Sequence, residues 1–166
     1  MSGMTVLSTV QAGAQPVVLR RAREDDLRAI VGLLADDYLG ATRDPLPADG
    51  DLAPYQRAFG QIAADPAHLL VVGEADGEVV ATIQLSFLPG LARRGALRAQ
   101  VEAVRVRADF QGNGLGAAIM TWVIDESRRR GCALIQLSSD KTRTRAHRFY
   151  ERLGFAASHK GMKLTL

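Results

Sequence analysis

The chain has 166 residues, 47% hydrophobic and 23% charged, with one cysteine and a formal net charge of +3, values of an ordinary soluble globular protein. That length buries a core without disulfide or metal staples, and no apolar run approaches the roughly 20 residues a membrane helix needs. Cys132 alone builds neither an internal disulfide nor a cysteine-rich zinc site, and His68, His147 and His159 show no ligand spacing, so no metal is expected.

In chain order, residues 1–15 read as an unstructured leader rich in Ser, Thr, Gly, Ala and Gln. They lack the basic start and long apolar core of a secretory signal, so a cytoplasmic location is expected, with no membrane or nucleic-acid partner. Residues 16–166 are expected to form a single domain. Within it, 17–20 reads as a strand. Residues 23–38 read as an amphipathic helix, with Leu27, Ile30, Val31, Leu34 and Tyr38 at helical spacing after the acidic Glu24, Asp25 and Asp26. A Gly-, Pro- and Asp-rich loop follows over 39–51, then a helix over 52–64. Strands at 68–74 and 78–88 flank the turn signal Asp76-Gly77. A connection over 89–95 holds Arg93 and Arg94. A strand over 99–108 leads through a glycine-rich turn into an apolar helix that runs to Arg130 and is closed by Gly131. A strand over 133–138 and a helix over 144–153 follow, the helix carrying Ala146, Phe149, Tyr150 and Leu153 on one stripe. Gly154 caps it, and 155–166 reads as one or two closing strands.

Charge is unevenly spread along this order. Residues 1–89 carry 6 basic and 12 acidic side chains, whereas 90–152 carry 13 basic and 6 acidic. Such separation suits one half facing a cation and the other an anion. The glycine turn fits the anion. Gly112, Gly114 and Gly116 lie between a strand and a helix, where backbone N–H groups converge, no side chain obstructs a phosphate, and the helix dipole favours negative charge.

Two patterns match the same letters. Gly112-x-Gly114-x-x-Ala117 satisfies a dinucleotide-binding fingerprint, with Asp140 about 20 residues on. The chain then lacks room for the further parallel strands that fold requires. Gln111-x-x-Gly114-x-Gly116 also satisfies the diphosphate-loop motif [QR]-x-x-G-x-[GA]. The later stretch Ala146-His147-Arg148-Phe149-Tyr150-Glu151-Arg152-Leu153-Gly154-Phe155 matches A-x-x-[FL]-Y-x-x-x-G-F. With these two motifs in this order, the chain resembles the GNAT superfamily of N-acetyltransferases from residue 17 onward. One departure is Arg143, which stands where many family members carry asparagine.

The resemblance implies an α/β fold with a mixed, mostly antiparallel sheet flanked by helices, the GNAT acyl-CoA N-acyltransferase fold, and acetyl-coenzyme A as acetyl donor. It places the donor diphosphate on the backbone of Gln111, Gly112, Asn113, Gly114, Leu115, Gly116 and Ala117. The pantetheine arm would run beside Val104, Arg105 and Val106 as an added strand. Arg143, Arg145 and Arg148 would complement the nucleotide phosphates. Amine acetylation needs a base, since a lysine-like amine titrates near about 10.4. Glu102, an acid within an apolar strand, is the candidate, with orienting the acceptor as its alternative role. Tyr150 takes the position of the family's general acid, with core packing as its alternative. The implied reaction is acetylation of a primary amine of a small molecule or peptide in a ternary complex, by a possible homodimer. Acceptor-side residues Asp36, Asp37, Tyr38, Asp44, Asp49, Asp51 and Tyr55 favour a cationic acceptor, and Arg93, Arg94 and Arg98 oppose it. The competing functions are a catalytically silent coenzyme A-binding module and an oxidoreductase fragment.

Overall fold

A computed structural model describes residues 4–36, 40–45 and 47–166. The chain falls into two units, 1–136 and 137–166. Its strands are β1 (Val6–Ala12), β2 (Gln15–Arg21), β3 (His68–Ala75), β4 (Glu78–Pro89), β5 (Leu97–Val106) and β6 (Leu134–Leu137). Its helices are α1 (Leu27–Ala35), α2 (Gly40–Arg43), α3 (Ala53–Ala64), α5 (Leu115–Arg129) and α6 (Thr144–Arg152), with α4 (Ala92–Gly95) a single turn whose Arg93 and Arg94 are left-handed. The strands join in sequence order into one sheet, and the first five pair antiparallel. The last pair runs parallel: Ala133 N–H donates to Leu97 O at 2.8 Å while Gln136 lies 2.6 Å from Gln100, side chain to side chain. A parallel neighbour requires a crossover, which α5 supplies. The mixed, mostly antiparallel sheet is the expected one.

Burial explains the layering. In β4, Val80, Ala81, Thr82, Ile83, Leu85, Ser86 and Phe87 are all buried, at odd and even positions alike, so both faces of the strand are covered. Leu27, Ile30, Val31 and Leu33 of α1 and Leu115, Ile119, Met120 and Val123 of α5 are buried in the same unit, and α1 packs on β4 and β5. Arg20 is 1% exposed at the end of β2, yet it is fully answered. Its guanidinium donates to both Asp26 oxygens at 2.7 and 2.9 Å and to Glu74 at 2.8 Å. Asp26 also accepts the Arg23 N–H at 2.7 Å, tying the 3-10 turn Glu24–Asp26 and the start of α1 to the sheet.

Several elements depart from the sequence reading. Residues 6–12, expected inside an unstructured leader, form β1. Pairing with the apolar β2 overrides a polar composition, and the two-residue turn Gly13-Ala14 closes the hairpin, with Gly13 at φ +60° as a type II′ turn requires. The helix expected over 23–38 begins as a 3-10 turn and is α-helical over Leu27–Ala35; Asp37 and Tyr38 lie outside the described residues. A short helix, α2, occupies part of the expected 39–51 loop. Over 155–166 the described residues contain no strand, and Met162, Leu164 and Leu166 are exposed. Their alternation supplies a face for a strand but not the hydrogen-bonding neighbour that makes one.

Candidate active site

The larger unit holds a strand edge and a loop. By the offset between Leu97 and Ala133, the four residues of β6 accompany only the first half of β5. The edge of 102–106 on that side has no strand neighbour among the described residues. The same stretch is bulged. Against β4, Gln84 pairs with Glu102 and Thr82 with Arg105, so β5 advances three residues while β4 advances two. The surplus is absorbed at Ala103, at φ +52°, a left-handed value that L residues adopt only under constraint. The bulge turns the backbone of 103–104 out of the ladder, just past the exposed Glu102. One carbonyl there is already engaged: Val104 O accepts from the Arg105 guanidinium at 2.9 Å.

The loop after β5 is pinned at both ends. Arg107 donates to Asp109 at 2.7 Å and to Glu78 at 2.8 Å and lies 5.3 Å over the ring of the buried Phe110, which fixes the 3-10 turn Ala108–Phe110. The Arg107 hydrogen bond holds the Asp109 carboxyl below its ordinary range. Gln111 then reaches back, its Nε2 donating to Val106 O at 2.9 Å. Its side chain, though exposed, staples the loop to the strand. Beyond it, Gly112 and Gly114 take φ of +80° and +86°, and α5 begins at Leu115. Among the described residues, the amides of 112–117 donate to no backbone carbonyl; the first such bond in α5 is Ala118 N–H to Gly114 O at 3.0 Å. An added Cβ at Gly112 or Gly114 would meet nothing within 4 Å, so open space lies beside the loop. Unpaired amides at a helix N-terminus beside open space form a cradle for an anion of phosphate size.

In the smaller unit, Tyr150 is set by the end of α6. Phe155 N–H donates to Tyr150 O at 3.1 Å and Gly154 N–H to Glu151 O at 3.0 Å, with Gly154 at φ +97°. These two bonds are the Schellman motif, whose accompanying contact joins the residues at its two ends. Here that contact is Tyr150 against Phe155, ring centroids 5.7 Å apart and edge to face, with Phe149 5.1 Å on the other side. The spacing Y-x-x-x-G-F therefore has a mechanical meaning: tyrosine at the third-last helical position, glycine for the left-handed cap, phenylalanine to hold the tyrosine ring. Arg143 is the N-cap of α6 and makes no capping bond through its side chain. His147 Nε2 lies 2.9 Å from Asp140 O, an internal tie of this unit.

Glu102, Val104, Arg105, Val106 and Gln111–Ala117 thus share one strand, the loop that follows it and the first turn of α5, and Tyr150 stands in the other unit. Ala103 escaped the sequence reading, since nothing in a pattern of side chains marks an alanine for a left-handed backbone. Three of the acids read as acceptor-facing have local work. Asp44 accepts from the Tyr55 hydroxyl at 3.3 Å, Asp49 accepts the Asp51 N–H, and Asp51 accepts the Ala53 N–H at the start of α3. Burial, with Asp44 adding to it, pushes the Tyr55 phenol up. Among the described residues no helix is long and apolar enough to cross a membrane.

The chain belongs to the Acetyltransferase (GNAT) family, whose profile matches residues 27–155, and it is an N-acetyltransferase by that membership. It is 29% identical over 152 residues to a glucosamine 6-phosphate N-acetyltransferase of Trypanosoma brucei brucei, covering 89% of this chain and 95% of that one. It is 27% identical over 148 residues to an aminoalkylphosphonate N-acetyltransferase of Salmonella typhimurium, covering 86% and 96%. Among solved structures, one described as a transcriptional regulator from Bacillus halodurans superposes with a TM-score of 0.86 at 41% identity, covering 90% of this chain and 99% of that one.

Proposed function

We propose that this protein moves the acetyl group of acetyl-coenzyme A to the primary amine of a small molecule, donor and acceptor being bound together. The observation that carries the reading is the set of unpaired amides at 112–117 beside a bulged strand edge at 102–106. The amides of Gly112, Asn113, Gly114, Leu115, Gly116 and Ala117 would hold the donor diphosphate, and the edge at Val104–Val106, beside which no strand lies among the described residues, would hold its pantetheine amides as an added strand. Bound there, the donor supplies an activated acetyl thioester. Glu102 removes a proton from the acceptor ammonium, directly or through water, leaving the lone pair attack requires. As the N–C bond forms and the C–S bond breaks, Tyr150 would donate its phenolic proton to the departing sulfur, and the second proton shed by the nitrogen as the amide forms would return to the phenolate through water.

Two curated relatives are named for amines that also carry a phosphate or phosphonate. In this chain Arg93 and Arg94 are exposed in the β4–β5 connection and Arg98 follows in β5, a set of cations suited to such a group. The proposed acceptor is therefore a small amine bearing phosphate or phosphonate. Thiol release from acetyl-coenzyme A is measured with glucosamine 6-phosphate, an aminoalkylphosphonate, their unphosphorylated counterparts and a polyamine. Faster turnover of the phosphorus-bearing member of each pair is expected, and a polyamine preference would return the acceptor to the cationic class. A second reading, a coenzyme A-binding regulator, is favoured by the description of the neighbour from Bacillus halodurans. Binding of coenzyme A by calorimetry with no thiol release across the panel would establish it in place of the first.

A further inference from the structure

The hairpin β1–β2 touches the loop proposed to hold the donor diphosphate. Gly13, first residue of its turn, donates its N–H to Asn113 O at 2.9 Å, and an L-type Cβ at Gly13 would come within 4.0 Å of the Asn113 Cβ. β1 also packs on α5, the helix that the loop opens. The peptide bond after Asn113 is trans, as no cis bond occurs in the described chain, so its C=O and the Gly114 N–H point in opposite directions across one rigid plane. Whatever grips the carbonyl aims the amide. We propose that Gly13 is a positioning residue for the donor site: its N–H holds the Asn113 carbonyl and thereby turns the Gly114 N–H to the side of the loop away from the hairpin, where a diphosphate is received.

Asn113 lies between Gly112 at φ +80° and Gly114 at φ +86°, glycines that permit the peptide planes on either side of it to rotate at little steric cost. A plane with that freedom needs an external tether if its amide is to be preorganised, and the hairpin supplies one from a segment distant in sequence. Preorganisation matters because an amide that must be ordered on binding gives back part of what its hydrogen bond gains.

The inference rests on the donor reading of the loop, and its test separates the two. Gly13→D-Ala and Gly13→D-Pro are made by ligating synthetic residues 1–21 to a 22–166 fragment carrying Ala22→Cys, with glycine at position 13 as the ligated control. Both D residues suit φ +60°; only D-proline lacks the N–H. The affinity for coenzyme A is measured by calorimetry, and kcat/KM is measured with acetyl-coenzyme A and with acetyl-pantetheine, which has no diphosphate. The D-Pro protein should bind coenzyme A about three- to tenfold more weakly than the D-Ala protein, the scale of one hydrogen bond, with kcat/KM for acetyl-pantetheine the same in both. Equal affinities for coenzyme A in the two proteins, or a parallel loss with both thioesters, would overturn the positioning role. Failure of the glycine control to bind coenzyme A would instead overturn the donor reading of the loop.

Discussion

Replacing Asp26 by alanine tests how the larger unit is tied together. The change deletes three hydrogen bonds to a carboxylate, from Arg20 at 2.7 and 2.9 Å and from the Arg23 N–H at 2.7 Å, and leaves a guanidinium whose residue is 1% exposed. Removing one partner of a buried ion pair costs about 3–5 kcal/mol, because the surviving charge stays out of water. Glu74 still faces Arg20 at 2.7 Å and keeps part of the compensation, so the lower end, about 3 kcal/mol, is expected. With a urea dependence of about 2 kcal/mol per molar, the unfolding midpoint should fall by about 1.5 M. The double variant Arg20→Met/Asp26→Leu removes both charges and should recover most of that loss. A midpoint shift under about 0.5 M for Asp26→Ala, or a double variant weaker than the single one, would refute the argument that an uncompensated buried charge sets the cost.

Gly114→Asp sets a Cβ at φ +86° and a carboxylate beside the amide cradle, and calorimetry should show coenzyme A binding abolished while circular dichroism still reports a folded chain. Tyr150→Phe, which keeps the ring against Phe149 and Phe155, should lower kcat by about 10²-fold with donor affinity unchanged; equal turnover with chemistry limiting would return the tyrosine to packing. Ala103→Val, favourable at an ordinary strand position, places a β-branched residue at φ +52° and should cost about 2 kcal/mol in urea unfolding rather than stabilise. In acid, the hydrogen bond from Arg129, then that from Arg130, holds the Glu126 carboxyl down at about 2 despite partial burial. For Asp26, burial pushes the pKa up but is outweighed by the Arg20 and Arg23 hydrogen bonds, which leave it lowered. A depressed folded pKa gives stability that is complete above the unfolded value near about 4 and lost as pH falls through the folded one, so the urea midpoint should drop between about pH 4.5 and 2. A midpoint flat across that window would contradict the shifts.

What the sequence discloses depends on whether a feature lives in side chains or in pairing. The loop after β5 and the end of α6 were legible because glycine is the cheap residue where the backbone must be left-handed, and Gly112, Gly114 and Gly154 stand at such places. The period of α1 marked Leu27, Ile30 and Val31 correctly as buried but put Leu34 on the stripe where the fold buries Leu33 and leaves Leu34 half-buried; α5 was legible only as apolar. β1 was not, because its stability lies in a partner strand and its turn, Gly13-Ala14, lacks the Asn-Gly or Asp-Gly signal. The opposite error fell on 155–166, where Met162, Leu164 and Leu166 alternate as a strand would and yet stand exposed. The bulge at Ala103 had no signal at all, since the surplus residue is defined only against β4.

The same distinction bears on the acceptor. Donor recognition in the proposed site uses backbone amides and a strand edge, which constrain the sequence mainly through glycine spacing. An acceptor must be chosen by side chains, and a charge count treats every side chain as available. In this fold Asp44, Asp49 and Asp51 are engaged by Tyr55 and by nearby backbone amides, and Asp26 and Glu74 by Arg20. These bonds leave the acidic excess of 1–89 in place, but they commit those carboxylates to their own neighbours rather than to direct contact with an acceptor. Arg93 and Arg94 differ. They are exposed, held with Gly95 in a left-handed turn at φ of 56° and 60°, and glycine or asparagine would serve that turn with less strain. Arginine is favoured there if the side chain has a use, and a planar cation that donates to two oxygens at once suits a phosphate or phosphonate better than it suits another cation.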